Sequence, residues 1–335
     1  MKDKKPIDRK RESSGMADIG TKEDGAIEQM IKIGERLIIL KEKSIYEFMM
    51  ADDVDPERTN INLPSNIHKR LIDKGSESEM VGRVFLTANT LMNKGRFEGS
   101  IKIEKALNLT LDLIQELAIL ESEIEIFLST ENEVSKEYES KRDKKVSYSI
   151  PSIGNAKNRC TTIFQKADHI EQTLMKIVTI FYPNEGLTQQ SHFPRLAEII
   201  KSKHGEKDGF SQFLDSILDF MKLIRNLRNA LDHQLDSVKI YDFELLPNSD
   251  VLAPSIELDF KGSKLERQSL SELLKILIPN FIFICEGTII HLVNHNFIRS
   301  LMSQEIREIP EEKRRNKYVS YSFWSPIGNG GYYDQ

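Results

Sequence analysis

The sequence predicts a mainly α protein, a helical bundle into which one short β-hairpin is inserted. Apolar residues recur every three or four positions over long stretches, which is the spacing of one buried helix face. These stretches are residues 26–50, 101–138, 155–182, 210–235 and 270–298, with shorter ones at 80–92 and 193–203. Residues 237–261 instead alternate apolar and polar side chains around a Pro-Asn-Ser-Asp turn, the pattern of a hairpin.

Composition excludes several classes of protein. Lys and Arg number 47 against 52 Asp and Glu, so no global positive field attracts nucleic acid or anionic lipid. The two cysteines, Cys160 and Cys285, are far apart and suggest neither a disulfide framework nor a zinc cluster. No signal peptide is evident, and polar residues interrupt the most apolar stretch, 273–293. We expect a cytoplasmic protein with no membrane partner, no cofactor and no metal.

Changes in composition predict four segments. Residues 1–24 are charged and lack apolar periodicity, so we expect a disordered basic and polar tail. Residues 25–150 form an N-terminal helical region, and residues 151–305 form a second helical domain that contains the hairpin. Residues 306–335 form a charged and aromatic C-terminal tail. The aromatic and basic side chains of that tail suit either an edge strand, a dimer clasp or a contact with single-stranded nucleic acid.

The end of the fourth long helix carries the most informative polar residues. Successive helical residues step by about 100°, so Arg225, Asn229 and His233 form one polar stripe. A purely structural interpretation is available, because histidine is favoured near a helix C-terminus and Arg228 can pair with Asp232 four residues on.

Arg228 has a second feature, its place in the apolar pattern. It lies four residues after Ile224 and three before Leu231, where packing alone favours an aliphatic side chain. A charge at this position requires an explanation, and a binding or catalytic role provides one.

The run Arg228-Asn229-Ala230-Leu231-Asp232-His233 resembles the Arg-polar-x3-His signature of the HEPN superfamily (higher eukaryotes and prokaryotes nucleotide-binding). The resemblance covers about residues 155–300 and implies an all-α domain. Many members are metal-independent endoribonucleases of toxin-antitoxin and phage-defence systems, whose sites form between two facing domains. It therefore implies a homodimer that cuts RNA with Arg228, Asn229 and His233, with Arg225 as a further substrate contact. It also implies a protein partner that inhibits or activates the enzyme.

The chemistry suits these residue types. RNA is cut without metal when its 2′-hydroxyl attacks the neighbouring phosphorus, which requires a proton acceptor, a proton donor and positive charge on the phosphate. Histidine, with an unperturbed pKa of about 6.5, serves as acid or base near neutrality. Arginine supplies a fixed cationic fork for the phosphate.

Two alternatives to an RNA endonuclease remain open. The first is a non-catalytic HEPN-like scaffold that binds a nucleotide, RNA or a partner protein, and the second is an unrelated helical adaptor. His291 and His295 are four residues apart on a helix, but no third metal ligand is evident. The remaining histidines are interpreted as ordinary surface or packed residues: His68, His169, His192 and His204.

Overall fold

The fold is mixed α/β. It is taken from a computed structural model that describes residues 5–12, 17–141, 149–188, 190–299, 304–327 and 331–335. Of the described residues, about 51% are helical and 19% lie in strands, which form four sheets. The expectation of a mainly α helical bundle with a single hairpin is therefore wrong.

The elements fall as follows. The helices in chain order are α1 (Pro6–Glu12), α2 (Ala51–Val54), α3 (Thr87–Leu91), α4 (Ile103–Lys141), α5 (Ala156–Phe181), α6 (Phe193–His204), α7 (Gly209–Asp232), α8 (Leu270–Lys275) and α9 (Leu277–Asn296). The strands are β1 (Ile27–Ile33), β2 (Arg36–Lys41), β3 (Ile45–Met50), β4 (Asn66–Ile72), β5 (Val238–Tyr241), β6 (Glu244–Leu245), β7 (Val251–Leu252), β8 (Ser255–Phe260), β9 (Ser263–Ser269), β10 (Glu305–Glu308), β11 (Tyr321–Ser325) and β12 (Tyr332–Asp334). A π-helix, Val81–Leu86, leads directly into α3. The predicted helices that begin at residue 80 or later are confirmed, and the last of them is divided at Ile276 into α8 and α9.

Two compact units make up the chain. Unit 1 contains Met1–Asn108 and Ile298–Gln335, and unit 2 contains Leu109–Phe297. Residues 109–150, expected in the N-terminal region, thus belong to unit 2. The division between the units falls within α4.

The first sheet of unit 1 occupies the stretch where a helix was expected. Residues 26–50 contain β1, β2 and β3, which with β4 form a four-stranded antiparallel sheet in the order β1-β2-β3-β4. A spacing of four residues fits a strand as well as a helix, because four is a multiple of the two-residue strand period. Two local signals favoured the strand: many isoleucines, and Gly34, whose φ of +60° closes the two-residue turn between β1 and β2.

The N-terminal segment, expected to be a disordered tail, contains a helix. Within residues 1–24, α1 carries Arg11, whose guanidinium is buried and donates to Asp55 Oδ2 at 3.0 Å. Arg11 also donates to the carbonyl of Asn60 at 3.3 Å. This basic residue is therefore committed to contacts inside unit 1, which a composition-based assignment of disorder does not detect.

The C-terminal segment, residues 306–335, was expected to be a tail and contributes three strands instead. β10, β11 and β12 form an antiparallel sheet in which β11 is central. The guanidinium carbon of Arg307 lies 3.7 Å from the centroid of the Trp324 ring, a cation–π contact between paired strands. The alternation of basic and aromatic residues thus serves packing within this sheet.

Unit 2 packs helices around a smaller sheet. α7 contacts α5, α6 and α9, and its apolar face lies in a core that includes the fully buried rings of Phe164, Phe210 and Phe281. The predicted hairpin is present as the antiparallel pair β5 and β8, with the small β6–β7 pair between them. A further strand, β9, follows β8 through the turn Lys261–Gly262, where both residues have positive φ angles.

One helical stretch, Leu270–Asn296, is long and apolar enough to cross a membrane by length and composition alone. Its most apolar window has a mean hydropathy of 1.9, and 56% of that window is buried inside the protein. Burial of this kind is typical of a core helix in a soluble protein.

Candidate functional site

Helix α7 is held at its start by a side chain and ends next to the predicted catalytic histidine. Asp208 is the N-cap residue, and its Oδ2 accepts hydrogen bonds from the backbone N–H groups of Phe210 at 2.8 Å and Ser211 at 3.2 Å. The helix ends at Asp232, so His233 is the C-cap residue. Its backbone N–H still donates to the carbonyl of Asn229 at 3.1 Å.

The apolar face of α7 is continuous, which corrects one step of the sequence interpretation. Leu227 is fully buried and fills the interval between Ile224 and Leu231 at spacings of three and four. Arg228 therefore does not interrupt the buried face but lies at its edge, with 33% of its side chain exposed. Its guanidinium lies beside the carboxylates of Asp232 and Asp168 and not in the apolar core.

A polar cleft of about 230 Å³ lies beside this edge of α7. Its lining comes from α5, from the segment before α6 and from α7. The lining residues are Asp168, Gln172, Gln190, His192, Arg225, Arg228 and Asn229. Three of the four predicted site residues, Arg225, Arg228 and Asn229, thus line one cleft.

Glu171 organises one side of the cleft. Its side chain is only 2% exposed, and Oε1 accepts from Arg225 Nη2 at 2.5 Å and from the backbone N–H of Phe193 at 3.4 Å. The same oxygen lies 3.2 Å from His192 Nδ1. A buried carboxylate needs such partners, because an unpaired charge in the interior is costly. Glu171 consequently fixes both the arginine and the histidine at the rim.

Asp168 and Asp232 hold the second arginine. Arg228 Nε lies 2.9 Å from Asp232 Oδ2 and 3.7 Å from Asp168 Oδ2, while Nη1 donates to Asn229 Oδ1 at 3.0 Å. Gln172 donates to Asp168 Oδ2 at 2.6 Å, and Gln165 donates to Asp232 Oδ1 at 2.8 Å. The pairing of Arg228 with Asp232 is the one that the structural interpretation of the sequence anticipated.

The charges around the cleft nearly balance. Two arginines oppose three carboxylates, those of Asp168, Glu171 and Asp232, which leaves one negative charge when His192 is neutral. The Asp168 and Glu171 side chains are 5% and 2% exposed, so solvent meets the guanidinium of Arg228 more than these acids. Among the described residues, none forms a hydrogen bond with Arg228 Nη2 or Asn229 Nδ2. Both groups can donate to a ligand in the cleft.

His233 occupies a different position from the other predicted residues. It does not line the cleft, it is exposed, and its ring forms no hydrogen bond or ion pair with any residue in the described part of the chain. The expected polar stripe along α7 is therefore interrupted at the helix end. The histidine that does line the cleft is His192, which was interpreted from the sequence as an ordinary residue.

Sequence interpretation did not select three residues that form the cleft: Asp168, Glu171 and His192. A signal for the two acids exists, because Asp168, Glu171 and Gln172 have spacings of three and four on α5. Arg225, Arg228 and Asn229 have the same spacings on α7. These spacings place each set of polar residues on one face of its own helix, acidic on α5 and basic on α7. No comparable signal marks His192, which lies in the segment before α6.

The opposite side of α7 is attached to the sheet of unit 2. Asn226 is buried, and its Nδ2 donates to Ser263 Oγ at 2.9 Å and to the carbonyl of Phe260 at 3.3 Å. These acceptors flank the turn Lys261–Gly262 between β8 and β9. Adjacent residues on α7, Arg225 and Asn226, are therefore fixed to α5 and to the sheet respectively.

Comparisons of the chain with protein-family models, with curated proteins and with solved structures found no match.

Proposed function

We propose that the chain is a metal-independent RNA endonuclease of HEPN type, with its active site at the cleft beside α7 and completed by a second copy. Its role would be that of a cytoplasmic toxin or phage-defence effector controlled by a protein partner. The role and the dimer come from the resemblance of Arg228 to His233 to the HEPN signature.

The observation that carries the proposal is the clustering of Arg225, Arg228, Asn229 and His192 in one cleft. Arg228 Nη2 and Asn229 Nδ2 are donors suited to phosphate oxygens. His192 is oriented through Nδ1 by the buried carboxylate of Glu171, 3.2 Å away. An imidazole backed by a carboxylate is a common arrangement for a general base.

The proposed step needs no water. His192 accepts the proton of the RNA 2′-hydroxyl, whose oxygen bonds to the adjacent phosphorus while the bond from phosphorus to the 5′-oxygen breaks. A protonated histidine gives its proton to that 5′-oxygen. The products are a 2′,3′-cyclic phosphate and a 5′-hydroxyl, and Arg228 offsets the charge that develops on the phosphoryl oxygens.

His233 is assigned the role of the proton donor, and the second copy supplies it. It lies outside the cleft of its own chain and is exposed at the end of α7. An exposed histidine at a helix end is accessible to a facing subunit. A two-fold dimer would then contain two equivalent sites, each with His192 from one chain and His233 from the other.

The first experiment measures cleavage of mixed RNA in EDTA and identifies the product ends. We expect cyclic phosphates with the wild-type protein and a rate loss of about 10²- to 10⁴-fold for His192→Ala and for His233→Ala. His169→Ala is the matched control, since this half-exposed histidine lies outside the cleft. Cleavage that requires an added metal, or that both histidine variants retain, would contradict the proposal.

The second experiment tests the shared site by mixing inactive variants. His192→Ala mixed with His233→Ala forms heterodimers with one intact site, so random pairing restores about a quarter of wild-type activity. His192→Ala mixed with Arg228→Ala restores nothing, because both residues belong to the same cleft. Equal activity in the two mixtures would rule out the assignment of His233 to the second copy.

One observation favours a second candidate function. Because His233 lies outside the cleft, the described chain assembles a binding site without the motif histidine. The alternative is a non-catalytic HEPN-like scaffold that binds a nucleotide or RNA through Arg228 and Asn229. Binding of RNA that Arg228→Ala weakens, together with intact RNA after prolonged incubation, would support this alternative over cleavage.

A further inference from the structure

Three helix ends of unit 2 meet at two histidines and an aspartate. His204 is the last residue of α6, Asp208 is the N-cap residue of α7, and His295 lies one residue before the end of α9. One ligand atom from each residue lies within 4.8 Å of the other two. We propose that these residues bind a divalent first-row transition-metal ion, and zinc is the ion that suits them best.

The donor set suits this class of ion. Imidazole nitrogens together with one carboxylate oxygen are typical zinc ligands, whereas magnesium and calcium favour sites made of oxygen alone. Three protein ligands leave a coordination position for water, as in zinc sites built from two histidines and one carboxylate. His204 is exposed, which provides a route of entry for the ion.

Asp208 can act as a ligand without giving up its role as helix cap. Oδ2 accepts from the backbone N–H groups of Phe210 and Ser211. The other oxygen, Oδ1, faces His295 Nε2 at 3.2 Å. Capping therefore holds the carboxylate in place while its second oxygen points at the proposed ion.

The distances fit a tetrahedral ion with a small movement of one ligand. Bonds of about 2.1 Å place neighbouring ligand atoms of a tetrahedron about 3.4 Å apart. The pair formed by Asp208 Oδ1 and His295 Nε2, at 3.2 Å, is already close to that value. Because the three ligand atoms lie within 4.8 Å of one another, His204 has to move by at most about 1.5 Å toward the pair. Its exposed position at the end of α6 allows this movement.

A second layer of contacts orients His295. Its side chain is 9% exposed, and its Nδ1 lies 3.2 Å from the Tyr182 hydroxyl. The ring also meets Phe210 edge-on, with centroids 5.5 Å apart. When Nδ1 carries the proton and donates to the Tyr182 oxygen, Nε2 presents its lone pair to the ion. Hydrogen bonds of this kind to the second ring nitrogen are usual for metal-bound histidines.

The site is separate from the cleft of the proposed nuclease. Asp208 precedes Arg225 by 17 residues along α7, a distance of about 26 Å at 1.5 Å per residue. An ion at this site would join the ends of α6, α7 and α9 and would take no part in the proposed cleavage. This inference does not depend on the proposed RNA cleavage.

The sequence indicated a different pair of histidines. His291 and His295 have the spacing of two ligands on one helix, but His291 stacks on Phe210 with ring centroids 5.0 Å apart. His204 and Asp208, at the junction of α6 and α7, are the further ligands of His295 that were not evident from the sequence.

The test uses the full-length protein, stripped with EDTA and exchanged into chelator-free buffer. Titration with Zn²⁺ by calorimetry, and with Co²⁺ by visible absorption, is expected to show one ion per chain and a rise in Tm with metal concentration. His204→Ala should abolish high-affinity binding while the protein stays folded, because the side chain is exposed. Asp208→Asn retains a capping residue and removes the anionic ligand, so it should bind much more weakly.

Two further variants distinguish a built site from nonspecific histidine binding. Tyr182→Phe leaves all three ligands intact and should weaken Zn²⁺ binding about 10- to 100-fold, as expected for a positioning residue. His169→Ala, in which a half-exposed histidine near Glu116 is removed, should bind like the wild type. Binding that persists in His204→Ala and Asp208→Asn, or no stoichiometric binding by the wild type, would overturn the proposal.

Discussion

Glu171 and Arg225 form an ion pair in which the carboxylate is almost completely removed from solvent. The side chain of Glu171 is 2% exposed and that of Arg225 is 18% exposed. Through the same carboxylate oxygen the pair also reaches His192 and the start of α6. It is thus a link between the packing of α5 against α7 and the arrangement of the cleft.

The contribution of this pair to the free energy of unfolding can be measured by a double-mutant cycle. Arg225→Met leaves the Glu171 carboxylate buried without its cation, and we expect a loss of about 3–5 kcal/mol in the free energy of unfolding. Glu171→Met/Arg225→Met should lose less than Arg225→Met alone, since no buried charge remains. Denaturant unfolding of Glu171→Met, Arg225→Met, the double variant and the wild type gives the coupling energy. Additive losses would show that the two side chains act independently.

The cleft should contact phosphate through Arg228. We expect Arg228→Ala to weaken binding of single-stranded RNA and to lower the slope of log Kd against log salt by about 0.7. Arg195→Ala is the matched control, because Arg195 is an exposed arginine on α6 that pairs with Glu198. Fluorescence anisotropy across a salt series measures both quantities. An identical salt slope for wild type and Arg228→Ala would exclude a phosphate contact at this residue.

Acid should destabilise the protein partly through His291. Burial lowers the pKa of His291 from 6.5 to about 4, with His295 lowering it further and Asp208 raising it. Between pH 6.5 and pH 4, His291 is therefore mostly protonated in the unfolded chain and mostly neutral in the folded chain. The stabilising contribution is complete above pH 6.5 and is lost as the pH falls toward 4.

The corresponding variant is His291→Phe, which retains an aromatic ring against Phe210. Between pH 7 and pH 4.5 we expect the wild type to lose about 2 kcal/mol more stability than this variant. Denaturant unfolding at both pH values supplies the comparison, with His169→Ala expected to follow the wild type. Parallel losses in the wild type and His291→Phe would contradict the assignment.

In unit 1, Gly82 permits close packing of the π-helix Val81–Leu86. A Cβ atom at this position would lie 2.4 Å from Tyr318 Cβ, too close for either residue to remain in place. Gly82→Ala should lower the free energy of unfolding by about 1–3 kcal/mol. Gly99→Ala is the control, because among the described residues, its two chain neighbours aside, no atom lies within 4 Å of its added Cβ. Thermal unfolding measures the stability of both variants. Equal losses would show that the π-helix shifts to accommodate the added methyl group.

The helices of unit 2 could be predicted from the sequence, whereas the sheets of unit 1 could not. Helices such as α5 and α7 carry an apolar face over many turns, so their period is unambiguous. Residues 26–50 are divided into three short strands, and over such lengths an apolar spacing of four fits either period. The Gly34 turn was the deciding local feature.

The candidate site was predictable only where one helix contributes it. Arg225, Arg228 and Asn229 share α7, so their proximity follows from helical geometry. Glu171 and His192 reach the same cleft from elsewhere in the chain through tertiary packing, which no local pattern encodes. The position of Arg228 was misjudged for a different reason: Leu227, three residues after Ile224 and four before Leu231, continues the buried face, and this local spacing was overlooked.

The attachment of Asn226 to the β8–β9 turn has a mechanical consequence for α7. Side-chain atoms about 6 Å from a helix axis move about 2 Å when the helix turns by 20°, enough to break a hydrogen bond. Arg225 is tied to α5, while its neighbour Asn226 is tied to the sheet. These two attachments therefore restrict rotation of α7 about its own axis. The hydrogen bonds of Asn226 beside the Lys261–Gly262 turn thus help to set the orientation in which α7 presents Arg228 to the cleft.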